Sequence, residues 1–326
     1  MARLFGCKRT QRREWWFILF LIFTSSLIYF MIVKSVTNST NKDREVSSCA
    51  SLTHLVKSKE FDGRFVGTSE TLFLQLISET LRTSFSESER EKMVIADVGA
   101  NIGLFTHLLC SKFYNTKIYS FEPGDEMRNW LNKKKKTCPQ PKNVQVVSKA
   151  VSDSDDLSVT LYGPSKQKKY RTSNLKPHNT GASISSGVNE ERGSTTVLGE
   201  TLTVKLDTFF RDTFSILLVK IDTEGLDPLV IKGTERKLEE NSVHILYWEF
   251  GKHWRAASDH TLSSVVRKLE KYSYESYAVG EKRMIKISNE CLNDDILRAI
   301  SYTLNVFSVL RHSPFSSIPF KYNLSE

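Results

Sequence analysis

Apolar residues beyond residue 60 recur with two alternating spacings, one typical of helices and one typical of strands. Between residues 69 and 81 they lie three or four positions apart, which predicts an amphipathic helix. The runs that follow are short, nearly continuous and rich in β-branched residues, as buried strands are. These patterns predict strands at 93–98, 117–121, 144–151, 157–162, 202–206, 216–221, 243–248, 276–279, 284–287 and 304–310, and helices at 102–113, 126–135, 262–269 and from 227 onward.

The alternation of strands with helices predicts an α/β fold with a mainly parallel, doubly wound sheet and helices on both faces. Asp227 and Pro228 indicate a helix start, with the aspartate as N-cap and the proline in the first position. Residues 163–194 lack periodicity and are rich in Ser, Lys and Gly. They predict a long loop that is a lid, a binding loop or a disordered segment.

The segment from Trp15 to Val33 has nineteen residues and no charged side chain. A helix of that length spans about 30 Å, the thickness of a bilayer's hydrocarbon core, and Trp15 and Trp16 suit its interface. A cleaved signal peptide is the alternative, but its apolar core is usually shorter, and no clear small-residue cleavage site follows here. Because more basic residues precede the span than follow it, we expect a type II signal anchor with a cytoplasmic N-terminus.

This topology divides the chain into four parts: a basic cytoplasmic tail (1–14), a transmembrane helix (15–33), a short polar stem (34–60) and one large domain (61–326). The domain would face the lumen of the Golgi or of another compartment of the secretory pathway. Two N-x-S/T sequons, at Asn38 and Asn323, are the glycosylation sites that the topology predicts.

The chain has five cysteines, and the predicted topology places Cys7 on the cytoplasmic side of the membrane. The other four allow three disulfide pairings, among which the sequence does not choose: Cys49, Cys110, Cys138 and Cys291. Cys110 falls within an apolar helical pattern, which predicts a buried free thiol. The cysteine spacings match no zinc site.

The formal net charge of +9 is concentrated in local clusters before the apolar span, at Lys133 to Lys136 and from Lys166 to Arg171. No aromatic residues alternate with them in the manner of a base-stacking surface, so we expect no nucleic-acid partner. Lys133 to Lys136 fall in the last turn of a predicted helix, where cations complement the helix dipole. The cluster from Lys166 to Arg171 is either a solvated loop or a contact for an acidic glycan.

Acidic side chains lie at the carboxyl ends of four predicted strands, the edge at which ligands bind in open α/β sheets. These side chains are Asp97, Glu122, Asp222 and Glu249. Any one of them alone would be explained as a cap or a solvated acid. Their shared position makes this edge the candidate site.

The turn after the first strand suits a nucleotide-like ligand. Gly99 and Gly103 permit a sharp turn and close approach to the main chain. The following helix offers free N–H groups and a positive dipole end to a carboxylate or phosphate. Glu122 lies nineteen residues beyond Gly103, where an acidic residue can accept both hydroxyls of an adenosine ribose.

A nicotinamide-dependent enzyme would share this fold and the ribose acid. Its fingerprint, G-x-G-x-x-G, needs a second glycine where the backbone approaches the pyrophosphate. Here the motif is D-x-G-x-x-x-G, with Ala100 and Asn101 at that place, and no pairing for hydride transfer is evident. The sequence therefore disfavours hydride chemistry.

Several motifs occur together over about residues 90–250: VIADVGANIG, YSFEPG, HNTGASIS, LTVKLD, VKIDTEGLDPLVIKG and ILYWEF. In order and spacing they resemble the FkbM family of S-adenosylmethionine-dependent methyltransferases. Asp227 stands where many members carry glutamate, which is a conservative difference. The Lys-rich insert around 164–176 and the segment past 255 follow the family pattern less closely.

The resemblance implies a Rossmann-like methyltransferase fold, S-adenosylmethionine as co-substrate and an O-methylated product, often a sugar or polyketide hydroxyl. It implies binding residues along the donor: Asp97, Gly99, Asn101 and Gly103 for the methionine end, Glu122 for the ribose and Asp153 for the adenine edge. Asp222 would lie beneath the donor's amino group or beside the acceptor.

Methylation of a hydroxyl also requires a group that takes its proton, such as a carboxylate, a histidine or a metal-bound oxygen. The candidates at the strand ends are Asp222, Glu224, Glu249 and His253. Glu224 has the alternative of capping a turn, and His253 that of a structural loop histidine. A divalent metal would suit the acidic edge, although no ligand spacing requires it.

The expected acceptor is a glycan or another hydroxylated molecule of the secretory pathway. A lipid or small-molecule methyltransferase at the membrane face is one alternative. A catalytically silent anchored domain that keeps the fold for interaction is the alternative from another class.

Overall fold

The computed structural model describes residues 67–164, 195–251, 254, 260–281, 283–287, 292 and 303–323. Its strands are β1 (Val94–Val98), β2 (Lys117–Phe121), β3 (Val144–Val147), β4 (Ala150–Val151), β5 (Ser158–Pro164), β6 (Thr195–Val204), β7 (Ile216–Ile221), β8 (Val243–Phe250), β9 (Tyr274–Val279), β10 (Met284–Ile287) and β11 (Leu304–Leu310). Its α-helices are α1 (Gly67–Ser84), α2 (Glu87–Arg90), α3 (Leu104–Lys112), α4 (Asp125–Lys135), α5 (Leu206–Phe209), α6 (Asp227–Lys232), α7 (Glu235–Glu239), α8 (Leu262–Lys271) and α9 (Ile318–Asn323). Short 3₁₀ helices form at Pro141–Asn143 and Pro314–Ser317.

Burial explains why the central elements form where they do. All residues of β1 and β7 are buried, as expected of parallel strands covered on both faces. On α1, Phe73, Leu74, Ile77 and Leu81 lie in the core at helical spacing. The helix predicted at 69–81 is therefore confirmed, with longer bounds.

The main sheet has the strand order β10-β9-β11-β8-β7-β1-β2-β3. Five consecutive strands of this sheet, β8, β7, β1, β2 and β3, are parallel to one another. In contrast, β11 is antiparallel to β8 and β9, and β10 is antiparallel to β9. This confirms the mainly parallel α/β sheet. The chain runs outward from β1 through β2 to β3 and then returns to place β7 on the other side of β1. Such a reversal opens a crevice at the carboxyl ends of the strands.

A second, three-stranded sheet of order β4-β6-β5 was not predicted. The single strand expected at 144–151 is wrong, because β3 pairs with β2 while β4 pairs with β6. The strand expected at 202–206 corresponds to β6, which begins earlier, at Thr195. It ends at Val204 because α5 begins at Leu206. The long pairing of β5 with β6 accounts for the extra length.

Cys110 is bonded to Cys138, with the two Cα atoms 5.7 Å apart. The prediction of a free thiol at Cys110 is therefore wrong. Cys110 does face the core from α3, as its periodicity indicated, but Cys138 follows α4 and is buried beside it. Helical periodicity reports which side of a helix is buried and carries no information about what lies opposite. The bridge joins the helix after the β1 turn to the end of α4.

No helix among the described residues is both long and apolar enough to cross a membrane. Several predictions fall outside the described residues: the span at 15–33, its tail and stem, Asn38, Cys7, Cys49, Cys291 and the Lys166–Arg171 cluster.

Asn323 is described, and its side chain extends the edge of the main sheet. Its Oδ1 accepts a hydrogen bond from the Met284 N–H at 2.7 Å, and its Nδ2 donates to the Met284 carbonyl at 3.0 Å. The amide thereby pairs with the first residue of β10 as a neighbouring strand would. The nitrogen that a glycan would modify is engaged in this contact.

Candidate active site

The turn after β1 is built on left-handed backbone conformations. Gly99 has φ 73°, Asn101 has φ 51° and Gly103 has φ 83°. A Cβ atom on Gly99 would lie 1.9 Å from the carbonyl oxygen of Asp222. Only glycine fits at residue 99, because the turn after β1 passes directly against the turn after β7.

Glu122 joins this turn to the end of β2. Its Oε2 accepts a hydrogen bond from the Asn101 N–H, and its Oε1 accepts one from the Gly124 N–H, both at 2.8 Å. Burial raises the pKa of Glu122, and these N–H groups offset only part of that effect. The glycine turn and the predicted ribose acid are thus in direct contact, although they are distant in sequence.

Asp97 lies in β1, one residue before the end of the strand, and is fully buried. Its Oδ2 accepts a hydrogen bond of 2.6 Å from the Thr106 hydroxyl on α3. Its Oδ1 lies 3.4 Å from Nζ of Lys220, which projects from β7. Asp97 therefore ties β1 to the helix that carries the turn and to the neighbouring strand.

Lys220 is the central cation of the site, and the sequence analysis did not identify it. Its Nζ lies 3.4 Å from a carboxylate oxygen of Asp222 and donates to the Gly99 carbonyl at 3.2 Å. The Phe105 ring lies 5.6 Å from the same nitrogen. Burial alone would lower the pKa of Lys220, but Asp222 and Asp97 outweigh it and raise the pKa. The signal in the sequence was a single charge inside the apolar run ILLVKI.

We expect Lys220→Met to lower the free energy of unfolding by about 3 kcal/mol, because it leaves Asp97 buried without a countercharge. Chemical denaturation monitored by circular dichroism measures this loss. Lys232→Met is the matched control, since Lys232 pairs with Asp153 at 2.7 Å but is half exposed, and it should leave stability nearly unchanged. Equal stability of the two variants would contradict the assigned role of Lys220.

The turn after β7 is held by Asp227. The Asp227 Oδ2 accepts a hydrogen bond of 2.8 Å from the Thr223 hydroxyl, and its Oδ1 accepts one of 3.2 Å from the Glu249 N–H. The prediction of Asp227 as N-cap is wrong, because α6 begins at Asp227 and Leu226 occupies the cap position. Its carboxylate bonds outside the helix and joins the ends of β7 and β8. Burial, and then the charge of Asp222, raise the pKa of Asp227 to about 6.

Glu249 and Glu224 complete the acidic edge around Asp222. Burial raises the pKa of Glu249 well above its usual range, and the charges of Asp222, Asp227 and Glu224 raise it further. Glu224 has φ 56° and precedes Gly225 at φ 105°, so it occupies a tight turn. The structure therefore brings three of the four predicted base candidates together.

Of the remaining predicted residues, one lies outside the described residues and the others have structural partners. His253 is outside the described residues. Asp153 pairs with Lys232 of α6, and this hydrogen bond lowers its pKa. Asp207, from the LTVKLD motif, accepts hydrogen bonds from the N–H groups of Arg236 and Lys237, both at 3.0 Å, and so holds the start of α7. That contact gives the motif a structural role.

A second group that the sequence analysis missed is formed by Glu70 and Tyr247. The Tyr247 hydroxyl donates to the Glu70 carboxylate at 3.4 Å. Glu70 belongs to α1, before the region of family resemblance, so no motif marked it. Tyr247 lies in the ILYWEF motif, two residues before Glu249 and on the same side of β8.

One group of three potential metal ligands has its donor atoms within 4.8 Å of one another in the described part of the chain: His107, Cys110 and Cys138. The two sulfurs there are bonded to each other. The carboxylates of the acidic edge are not a group of this kind.

Comparison with known structures finds distant likenesses to methyltransferases. A methyltransferase FkbM from Methylobacillus flagellatus is 11% identical, with 67% of this chain and 44% of that chain covered and a TM-score of 0.39. An O-methyltransferase from Bacillus cereus, in complex with SAH, is 8% identical, with 81% and 91% covered and a TM-score of 0.35. TrmK from M. capricolum, in complex with S-adenosyl-homocysteine, is 10% identical, with 70% of each chain covered and a TM-score of 0.32. Likenesses this distant carry no argument about activity.

The aligned part of this chain spans less than half the length of the M. flagellatus protein. Comparison with curated proteins finds no significant match. The model of the methyltransferase FkbM domain, in contrast, matches residues 97–276, more than half of the 326-residue chain. The match begins at Asp97 and includes Lys220 and the acidic edge. The chain therefore belongs to the methyltransferase FkbM domain family.

Proposed function

We propose that this protein is an S-adenosylmethionine-dependent methyltransferase that methylates a hydroxyl of a glycan or another acceptor of the secretory pathway. One observation carries the proposal: the Asn101 N–H donates to Glu122 at 2.8 Å, while Gly99 packs against the backbone of Asp222. The turn that would hold the methionine end, the acid that would hold the ribose and the acidic edge thus meet in one crevice.

The residues of the crevice fit the donor. The side-chain oxygen of Asn101 is buried and has no hydrogen-bond partner in the described part of the chain, so it can accept from a ligand. Gly103 is the N-cap of α3, whose N–H groups and positive dipole end suit the donor's carboxylate. Glu122 keeps acceptor capacity for ribose hydroxyls, since each carboxylate oxygen can accept more than one hydrogen bond. The bound donor would supply an activated methyl group on a sulfonium.

The protein's contribution to the transfer is positioning and proton removal. Holding two reactants in alignment can remove about 7–11 kcal/mol from the barrier, because their entropy is lost on binding and little solvent must reorganise. We assign the acceptor to the acidic edge, with Glu249 as the group that takes its proton and Asp222 as a hydrogen-bond partner. A base with a raised pKa is suited to this step, because it binds a proton readily near neutral pH. Glu224 is assigned to the turn.

Donor binding and methyl transfer test this proposal. Calorimetric titration of the purified lumenal segment with S-adenosylmethionine should show binding, and Glu122→Ala should weaken it at least about tenfold through loss of the ribose hydrogen bonds. Labelled donor should then pass its methyl group into one of three acceptor fractions: glycans, lipids or small molecules. If the protein does not bind the donor, the remaining interpretation is a catalytically silent anchored domain that serves in interaction. Methylation of lipids alone would overturn the glycan assignment.

We further propose a type II anchor at 15–33 and a lumenal catalytic domain. Two features support it: the uncharged apolar run and the Cys110–Cys138 disulfide, since disulfides persist in oxidising compartments. A tenable alternative to the glycan acceptor, a lipid at the membrane face, would keep this topology.

We expect Asn38 to be glycosylated when the full chain is made in a eukaryotic secretory host, because this sequon would lie just beyond the membrane on the lumenal side. Gel electrophoresis measures this modification: the glycosylated protein should migrate more slowly. Glycosidase treatment and the Asn38→Gln substitution should each remove that difference. Asn323→Gln tests the second sequon separately. An unmodified Asn38 would count against the lumenal orientation.

A further inference from the structure

Helix α1 brings a carboxylate to the site from outside the segment that matches the family model. Glu70 lies in the first turn of α1, and its Oε1 accepts a hydrogen bond of 3.4 Å from the Tyr247 hydroxyl. Phe73, one turn further along, packs on the Tyr247 ring with the centroids 4.7 Å apart. These contacts fix the start of α1 beside the end of β8.

Glu70 is connected to Lys220 through two aromatic rings, because Tyr247 stacks on Phe105 with the centroids 5.9 Å apart and the Phe105 ring lies 5.6 Å from Nζ of Lys220. Burial raises the pKa of Glu70, and the charge of Lys220 is the largest effect that opposes it. The carboxylates of Asp222 and Asp97 also act on Glu70. Glu70, Lys220 and these two carboxylates therefore form a group of one cation and three carboxylates. Its net charge is negative when all are ionised, and Glu70 supplies one of the two excess charges.

Methyl transfer removes a positive charge from the donor. The bond between sulfur and methyl breaks, the bond between the acceptor oxygen and methyl forms, and the hydroxyl proton passes to a base. The sulfonium donor thus becomes a neutral thioether, while the rest of the molecule is unchanged. A negative site attracts the donor more strongly than the product, because opposite charges interact over several ångströms in a partly buried site.

We propose that Glu70 is a specificity-determining residue of the donor site, where its charge favours the cationic donor over the neutral thioether product. The proposal rests on the function proposed above. It gives α1 a role in exchanging product for fresh donor. Because donor and product differ only in the methyl group and its charge, their affinity ratio isolates this electrostatic contribution.

The test compares Glu70→Gln with the unaltered protein in calorimetric titrations with S-adenosylmethionine and with S-adenosylhomocysteine. Glutamine keeps the size and can still accept from Tyr247. We expect the donor to bind about fivefold more weakly, a change of about 1 kcal/mol, and the product to bind within about twofold of its original affinity. Glu79→Gln is the matched control, because Glu79 is an exposed carboxylate on the same helix. It should change neither affinity.

Three other results would contradict either the proposed role of Glu70 or the proposed function. Equal weakening of donor and product in Glu70→Gln would mean that Glu70 only supports the structure, and unchanged affinities would mean that its charge does not reach the ligand. Either result overturns the proposal and leaves the methyltransferase assignment standing. Absence of donor and product binding in the unaltered protein would instead overturn the proposed function.

Discussion

Gly99→Ala is expected to abolish donor binding and to lower the free energy of unfolding by about 4 kcal/mol. Part of this cost is conformational, because φ 73° is unfavourable for a residue with a Cβ atom by about 1–2 kcal/mol. The larger part is steric, since the new Cβ would lie 1.9 Å from the Asp222 carbonyl oxygen. Backbone atoms cannot rotate away as a side chain can, so the turns after β1 and β7 must separate.

That separation explains why binding should fail together with stability. Lys220 donates to the Gly99 carbonyl and contacts Asp222, so moving either turn breaks this pairing. The Asn101 N–H would also leave Glu122. Calorimetric titration with S-adenosylmethionine and urea denaturation measure the two effects.

Gly199→Ala is the control for the conformational part of the Gly99 effect. Gly199 has φ 146°, and nothing lies within 4 Å of a Cβ atom built there. We expect this variant to lose about 1 kcal/mol of stability and to keep its donor affinity. If Gly99→Ala were no more harmful than Gly199→Ala, the two turns would not be packed as described.

The strand ends could be predicted from the sequence because their signals are local. A buried run followed by an acid and a glycine fixes both the strand and the edge at which the acid lies, as at Asp97 and Gly99. Parallel pairing then brings Glu122 to the same edge without any further information. The contact between Asn101 and Glu122 follows from these two facts.

The features that were missed depend on which elements become neighbours. Val144 to Val151 reads as one strand locally, but β3 and β4 join different sheets, and only the position of β6 decides that. Cys110 has the same periodicity whether or not Cys138 lies opposite. Lys220 is buried between Asp97, which comes from β1, and Asp222, which lies two residues further along its own segment. Glu70 lies beside β8 because α1 packs against Tyr247.

Glu249 should show the largest effect on the chemical step. In Glu249→Gln we expect kcat to fall about 10²–10⁴-fold, the usual contribution of a positioned general base. Glutamine keeps the shape of the side chain but cannot take a proton from the acceptor. Donor affinity should change little, since the predicted donor contacts lie after β1 and β2.

The pH dependence of kcat/KM distinguishes a general-base role of Glu249 from a structural role. Burial and neighbouring acids raise the pKa of Glu249, so its carboxylate becomes protonated as the pH falls through that raised value. A protonated base cannot accept, and kcat/KM of the unaltered protein should therefore fall on the acid side. The charge of Asp227, whose own pKa is raised to about 6, is one of those that raise the pKa of Glu249.

In Glu249→Gln the acid-side fall that belongs to Glu249 should disappear, and only a weaker inflection near the pKa of Asp227 should remain. Glu239→Gln is the control, because Glu239 is exposed on α7 and precedes the start of β8, whereas Glu249 lies near the carboxyl end of that strand. If Glu249→Gln lowered kcat but left the fall of kcat/KM at low pH unchanged, Glu249 would have only a structural role at the acidic edge. The proton would then pass to Asp222, the carboxylate whose charge acts most strongly on Glu249.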